Sequence, residues 1–208
     1  MAISNDEQRV THKKAQFMSD QLTYHLRFSP EEFDAQYNLR AARPDYEQTV
    51  IPGWVADSAA ARATLDCTLD ERYGTGEKQK LDVFRCGDAS APTLIYVHGG
   101  YWQRGDKSVY SFLAPPFVAN GVNIVVIGYD LCPTVTITEI SQQAREAVAY
   151  VWHHADDLGV NGDRLTVMGH SAGGHITQMM MATDWPAFDA ALPVDLVKSG
   201  IPVSPLSY

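Results

Sequence analysis

The sequence has 208 residues, of which 45% are hydrophobic and 20% are charged. This is ordinary globular composition, and the length suits one domain with a sizeable core. The formal net charge of −9 argues against a nucleic-acid-binding surface, which would be basic.

No stretch of about 18 apolar residues occurs, and the polar N-terminus MAISNDEQRVTHKK has no apolar signal-peptide core. The three cysteines, Cys67, Cys86 and Cys132, form no Cys-x-x-Cys pair and no metal signature. We therefore expect a cytoplasmic protein with reduced thiols, without a membrane or nucleic-acid partner and without a metal or cofactor.

Residues 1–60 are polar and aromatic, with helical stretches predicted at 5–25 and 30–37. Pro44 and the Pro52-Gly53 pair interrupt the chain after the second of these helices. We interpret residues 1–60 as a helical extension that forms part of a lid or a dimer contact. The core is then expected over residues 61–208.

Six strands are predicted beyond this extension. The first two alternate in polarity and indicate an antiparallel start, whereas the later ones are short, apolar and rich in β-branched residues, as buried strands are. They cover residues 62–69, 80–85, 93–97, 123–128, 164–168 and 196–204. Helices are expected at 107–119, 137–152 and 172–182. Alternating strands and helices predict an α/β fold, with a mostly parallel sheet and helices on both faces.

The stretch GHSAGGH, residues 169–175, comes directly after the fifth predicted strand and opens the last predicted helix. It contains Gly-x-Ser-x-Gly at a strand-to-helix junction, where a tight turn exposes the serine hydroxyl. Ser171 is therefore a candidate nucleophile. The amide of Ala172, at the helix N-terminus, is a candidate donor to the oxyanion that nucleophilic attack creates.

The stretch HGGYW, residues 98–102, comes directly after the third predicted strand. Glycine lets another group approach the main chain closely, and further oxyanion donors are expected on a loop after this strand. Gly99 and Gly100 are therefore predicted to offer amide N–H groups to the same oxyanion. Either motif occurs by chance in many chains, but both at strand ends, in this order, indicate a serine hydrolase.

These residues resemble the α/β-hydrolase fold, and HGGYW with GHSAGGH is similar to the kynurenine formamidase (arylformamidase) family and to HGG-type carboxylesterases. The stretches QYNLR (36–40), LDVF (81–84) and YDLCP (129–133) also look like that branch. The resemblance covers about residues 30–205.

The resemblance implies that Ser171 is the nucleophile and that Gly99, Gly100 and Ala172 form the oxyanion hole. Tyr101, Trp102 and His170 are expected to bind substrate, although the two aromatic residues could equally pack the loop onto the body. For His98 we expect a structural role rather than a catalytic one. His175 is expected to face inward or toward the cap rather than to act as the base.

The family's catalytic triad places an acid and a histidine after the seventh and eighth strands, but this sequence has no histidine beyond His175. Asp184 and Asp195 are interpreted as solvated or capping residues. On this resemblance, we expect the 208 residues to lack the last two strands of the fold. We expect a longer gene product, a second polypeptide that completes the sheet, or a true short form with weak catalysis.

The sequence therefore predicts a serine hydrolase acting on an ester or N-formyl amide of a small molecule, most like N-formylkynurenine hydrolysis. A general short-chain carboxylesterase remains an alternative. A binding protein with an impaired site is the alternative of another class, and an acyltransferase is a minor one. A homodimer is also compatible with the sequence.

Overall fold

The computed structural model describes residues 28–37 and 43–203, so the helix predicted at 5–25 lies outside the described residues. The chain divides into two compact units, residues 1–50 and 51–208. In the first unit, helix α1 (Pro30–Tyr37) confirms the helix predicted at 30–37, and a π-helical turn covers Tyr46–Val50. Ser29 and Glu32 hydrogen-bond each other's main-chain amides at the start of α1, which is a capping box.

The second unit contains a six-stranded sheet and its flanking helices. Its strands are β1 (Cys67–Arg72), β2 (Lys80–Phe84), β3 (Thr93–Val97), β4 (Asn123–Ile127), β5 (Leu165–His170) and β6 (Val197–Val203). Its α-helices are α2 (Ile51–Thr64), α3 (Ala114–Ala119), α4 (Ile137–His153), α5 (Ala155–Leu158), α6 (Ala172–Met181) and α7 (Trp185–Phe188). Short 3₁₀ helices cover Lys107–Leu113 and Gly162–Arg164.

The strand order is β1-β2-β4-β3-β5-β6. The pairs β1–β2 and β2–β4 are antiparallel, whereas the pairs that join β4, β3, β5 and β6 are parallel. This confirms the antiparallel start and the parallel remainder that the sequence predicts. Because parallel strands end at the same edge of a sheet, the loops after β3, β4, β5 and β6 meet there.

Successive residues of β3 face opposite sides of the sheet, and each side has its own core. Ile95 and Val97 pack in a cluster with residues of α4 and α6. Leu94 and Tyr96 pack in a second cluster with Ala114 of α3 and its neighbours. Helices therefore cover both faces, as predicted.

The first predicted strand, at 62–69, is wrong over its first half. Residues 62–64 end the fourteen-residue helix α2, and β1 begins only at Cys67. The run of alanines before Thr64 favours helix, and this outweighs the accidental alternation of RATLDCTL.

The helix predicted at 107–119 is present in two parts. Residues Lys107–Leu113 form a 3₁₀ helix, and α3 begins directly after it. Pro115 and Pro116 lie in the first turn of α3, where a missing amide N–H is tolerated.

Strands β1 and β6 form the two edges of the described sheet. Ile201 and Val203 of β6 are exposed. The three cysteines are free thiols. None of the described helices combines the length and hydropathy needed to cross a bilayer.

Candidate active site

Ser171 lies in a sharp turn between β5 and α6. Its backbone has φ 57° and ψ −117°, a conformation that residues other than glycine rarely adopt. Its amide donates to the carbonyl of Val203 at the end of β6 (2.8 Å), and its carbonyl accepts from Gly174 and His175. The turn is therefore held on both sides while the hydroxyl stays free of partners among the described residues.

Two glycines allow this turn to close. A Cβ at Gly169 would lie 2.2 Å from the carbonyl oxygen of Gly173. A Cβ at Gly173 would lie 2.1 Å from the carbonyl oxygen of Val97. Because these neighbours are backbone atoms that cannot rotate away, Gly-x-Ser-x-Gly is a steric requirement here.

The oxyanion loop, defined here as residues 98–105, lies directly against this turn. A Cβ at Gly99 would lie 2.6 Å from the carbonyl oxygen of His170 and 3.1 Å from Cβ of Ser171. Gly100 has φ +129°, and its carbonyl accepts from the amides of Gln103 and Arg104. The two motifs that the sequence predicted to meet are thus adjacent.

Three amide N–H groups near Ser171 are unused. No described residue accepts a hydrogen bond from the amide of Gly99, Gly100 or Ala172. Ala172 is the first residue of α6, where the helix leaves its amides unpaired and carries partial positive charge. This end of the sheet can therefore stabilise a developing negative charge.

His98 holds the oxyanion loop in place through hydrogen bonds to Gly99 and Tyr129. Its Nδ1 donates to the carbonyl of Gly99 (2.7 Å), and the Tyr129 hydroxyl donates to the carbonyl of His98 (2.7 Å). Burial lowers the pKa of His98 to about 4, against a weaker opposing effect of the hydrogen bond to Gly99. A neutral imidazole with its proton on Nδ1 fits the structural role predicted for this residue.

The predicted substrate-binding residues lie in different environments. Tyr101 is 73% exposed, whereas Trp102 is half-buried and packs against the core cluster of α4 and α6. The carbonyl and Nδ1 of His170 lie beside Gly99. Trp102 thus packs the loop onto the body, while the substrate-binding roles of all three residues stay predictions.

His175 lies on α6, one turn after Ser171, with its ring against that of Trp102. Asp184 caps α7 by accepting from the amide of Ala187, and Asp195 forms an exposed ion pair with Lys198. The capping and solvated roles predicted for these two carboxylates are confirmed. None of the three hydrogen-bonds Ser171 through its side chain.

The residues that line a polar cavity of about 160 Å³ do not include Ser171. Charged side chains line it, among them Lys78, Asp106 and Lys107, together with His98 and Tyr129. Partial burial alone would raise the pKa of Asp106, but hydrogen bonds from Lys78 and Ser108 hold it well below its usual range. Within the described ranges, no three His, Cys, Asp or Glu side chains are grouped as metal ligands.

Sequence reasoning missed two supports of the oxyanion loop. Tyr129 belongs to the YDLCP stretch, but nothing in its spacing indicates a hydrogen bond to His98, 31 residues earlier. Gly105 has φ +101°, and a Cβ there would lie 2.7 Å from Nδ1 of His98. For Gly105, the sequence signal that could have been used is a glycine at the end of a loop.

The fold and this site define a protein of the α/β-hydrolase fold, similar to esterases and arylformamidases. Residues 81–194, more than half of the chain, match the BD-FAE family. The chain belongs to this family.

Kynurenine formamidase from Salmo salar is 34% identical over 164 residues, which are 77% of this chain and 53% of that protein. The corresponding protein from Danio rerio is 31% identical over 80% of this chain and 55% of its own length. This chain therefore spans about half the length of the curated relatives it matches.

Solved structures show the same fold. A protein designated a thioesterase, from Silicibacter sp. TM1040, is 35% identical with a TM-score of 0.58. That match covers 66% of this chain and 50% of the other.

Proposed function

We propose that this chain belongs to a serine hydrolase that cleaves a carboxylic ester or N-formyl amide through an acyl-enzyme at Ser171. One observation carries the proposal. The strained Ser171 turn is in contact with Gly99, at a place where three amide N–H groups have no partner among the described residues.

In this mechanism, the Ser171 oxygen attacks the carbonyl carbon of the substrate. The carbonyl oxygen becomes an oxyanion and accepts hydrogen bonds from the amides of Gly99, Gly100 and Ala172. Collapse of the intermediate breaks the ester or amide bond, and the expelled alcohol or amine takes up the proton that the Ser171 hydroxyl has lost. Water then adds to the acyl group, which releases the acid or formate and returns a proton to Ser171. No described residue hydrogen-bonds the Ser171 hydroxyl, so none of them is in place to act as its base.

The two candidate substrate classes are N-formyl amides and short-chain esters. Three relatives are called kynurenine formamidase, and other relatives, such as the Arabidopsis thaliana isoprenylcysteine alpha-carbonyl methylesterase, are named as esterases. The HGGYW loop favours the first class, and N-formylkynurenine is the substrate we propose. A short-chain carboxylesterase is the second candidate.

Turnover of N-formylkynurenine and of p-nitrophenyl acetate tests both classes. We expect Ser171→Ala to abolish the turnover that the wild-type protein shows, because it removes the nucleophile. The matched control is Ser199→Ala, since the Ser199 side chain hydrogen-bonds that of Thr166 on the neighbouring strand, away from the site. It should keep the wild-type rate.

Turnover that survives in Ser171→Ala would refute the proposal. A wild-type chain that binds these substrates, with a raised melting temperature but without turnover, would instead support the binding-protein alternative. The ratio of the two wild-type rates decides between formamidase and esterase.

A further inference from the structure

The side chain of Trp102 contacts that of His175, one turn after Ser171. The ring centroids are 5.5 Å apart and the ring planes are at 83°, an edge-to-face contact. Trp102 lies on the oxyanion loop with Gly99 and Gly100, whereas His175 lies on α6 with Ala172. The contact therefore joins the two segments that carry the proposed oxyanion donors.

The oxyanion loop needs such an attachment because its backbone is strained. Tyr101 and Trp102 have φ 56° and 55°, the left-handed region that favours glycine. Tyr101 is 73% exposed and cannot hold the loop in place. Trp102 is attached twice, by its ring against the core and by its carbonyl, which accepts from the amide of Cys132 (2.8 Å).

Both rings bury a nitrogen that has no partner. Trp102 Nε1 and His175 Nδ1 are inaccessible to solvent and make no hydrogen bond with any described residue. A buried polar atom without a partner lowers stability, whereas carbon at the same position would not. The contact is therefore not optimised for stability alone, and unsatisfied groups of this kind are expected where function sets the geometry.

We propose that this Trp102–His175 contact is a clamp that positions the oxyanion loop against α6, so that the amides of Gly99 and Gly100 face the same point as that of Ala172. The inference rests on the proposed function. Trp102 and His175 are positioning residues, because they act through the backbone of the loop. The ring contact supplies the position, and the two unpaired nitrogens are its cost in stability.

The test uses Trp102→Ala, Trp102→Phe, His175→Ala and the Trp102→Ala/His175→Ala double variant of the full chain. One readout is the second-order rate at which a fluorophosphonate labels Ser171, because its phosphoryl oxygen occupies the oxyanion hole. The other is deuterium exchange of the amides of residues 98–105. Melting temperature is measured in parallel.

Trp102→Ala and His175→Ala should each slow labelling at least about tenfold and speed exchange of the loop amides. The double variant should lose no more than the worse single variant, because both remove one contact. Trp102→Phe keeps an aromatic ring without the unpaired N–H. It should label within about threefold of wild type and melt at or above the wild-type temperature.

A second edge-to-face pair provides the control. Trp152 and His153 have ring centroids 5.0 Å apart at 79°, at the C-terminal end of α4. Trp152→Ala should lower the melting temperature without changing labelling or loop exchange.

The clamp proposal is wrong if Trp102→Ala and His175→Ala change neither the labelling rate nor the exchange of the loop amides. It is also wrong if Trp152→Ala changes both quantities as much as these variants do. If the wild-type chain is not labelled at Ser171, the proposed function fails. In that case, deuterium exchange of the amides of residues 98–105 is the only readout that tests the Trp102–His175 clamp.

Discussion

Gly99 shows at the scale of one residue why the two sequence motifs meet. It has no side chain, and the backbone of His170 and the Cβ of Ser171 occupy the space that a side chain would need. Its role is steric rather than conformational, since nothing in its φ demands glycine. Glycine is needed because two loops touch.

Gly99→Ala should therefore impair the site specifically. We expect the rate of fluorophosphonate labelling at Ser171 to fall roughly a hundredfold, because moving the loop displaces a proposed oxyanion donor. Gly53→Ala is the matched control, since a Cβ at Gly53 in α2 meets nothing within 4 Å. It should label at the wild-type rate, and equal labelling of both variants would contradict the proposed place of Gly99.

His98 links the site to the pH dependence of stability. Its pKa is about 4 in the folded chain, and the ordinary value of 6.5 applies once the chain unfolds. Between these values the unfolded state binds more protons, so stability falls as the pH falls from 6.5 to 4. The free energy of unfolding falls by about 3 kcal/mol over this whole range, at 1.36 kcal/mol per pKa unit.

Urea unfolding at pH 7 and pH 4.5 tests this. The wild-type chain should lose more free energy of unfolding between these pH values than His98→Asn does, because asparagine does not titrate. An equal loss in the two proteins would show that His98 is not the group responsible.

At the scale of elements, one buried ion pair joins the 3₁₀ helix Lys107–Leu113 to the β1–β2 hairpin. The Lys107 ammonium contacts the carboxylates of Asp82 and of Asp70 (2.9 Å). The Lys107 and Asp82 side chains are 8% and 1% exposed. The helix begins just after the oxyanion loop, so this pair fixes where the loop ends.

Lys107→Met should lower the free energy of unfolding by about 3–5 kcal/mol, because it leaves Asp82 buried without a counter-charge. Urea denaturation measures the loss. Lys78→Met is the control: its pair with Asp106 (2.9 Å) is about one-third to one-half exposed, and such pairs contribute at most about 1 kcal/mol. Similar losses in both variants would contradict the structural role of the Lys107 pair.

The elements were predictable where local pattern decides structure. Strand β3 has the predicted bounds, because TLIYV is apolar and β-branched and is buried on both faces. Helix α2 was not predicted, because Pro52 and Gly53 were interpreted as residues that interrupt the chain. Both lie in the first turn of α2, where proline is tolerated.

Contacts between distant residues were not predictable. Lysine is among the least buried residue types, so nothing local marks Lys107 as a core residue. The facing rings of Trp102 and His175 are 73 positions apart in the sequence. The motifs predicted that their loops meet, but the contact itself depends on the packing of β3, β5 and α6.

At the scale of the whole molecule, the described sheet brings the ends of its parallel strands to one edge, and the proposed site lies there. The chain matches about half of its curated relatives' length, so activity and substrate are proposals for the protein as a whole. The lid role of residues 1–60, a homodimer, a second polypeptide and a cytoplasmic location stay predictions.

The most direct measurement is the site at which a fluorophosphonate labels the folded chain, read by intact mass and peptide mapping. We expect a single adduct on Ser171, absent from Ser171→Ala and present in Ser199→Ala. An adduct on another residue, or none on a folded wild-type chain, would contradict the claim that Ser171 is the nucleophile.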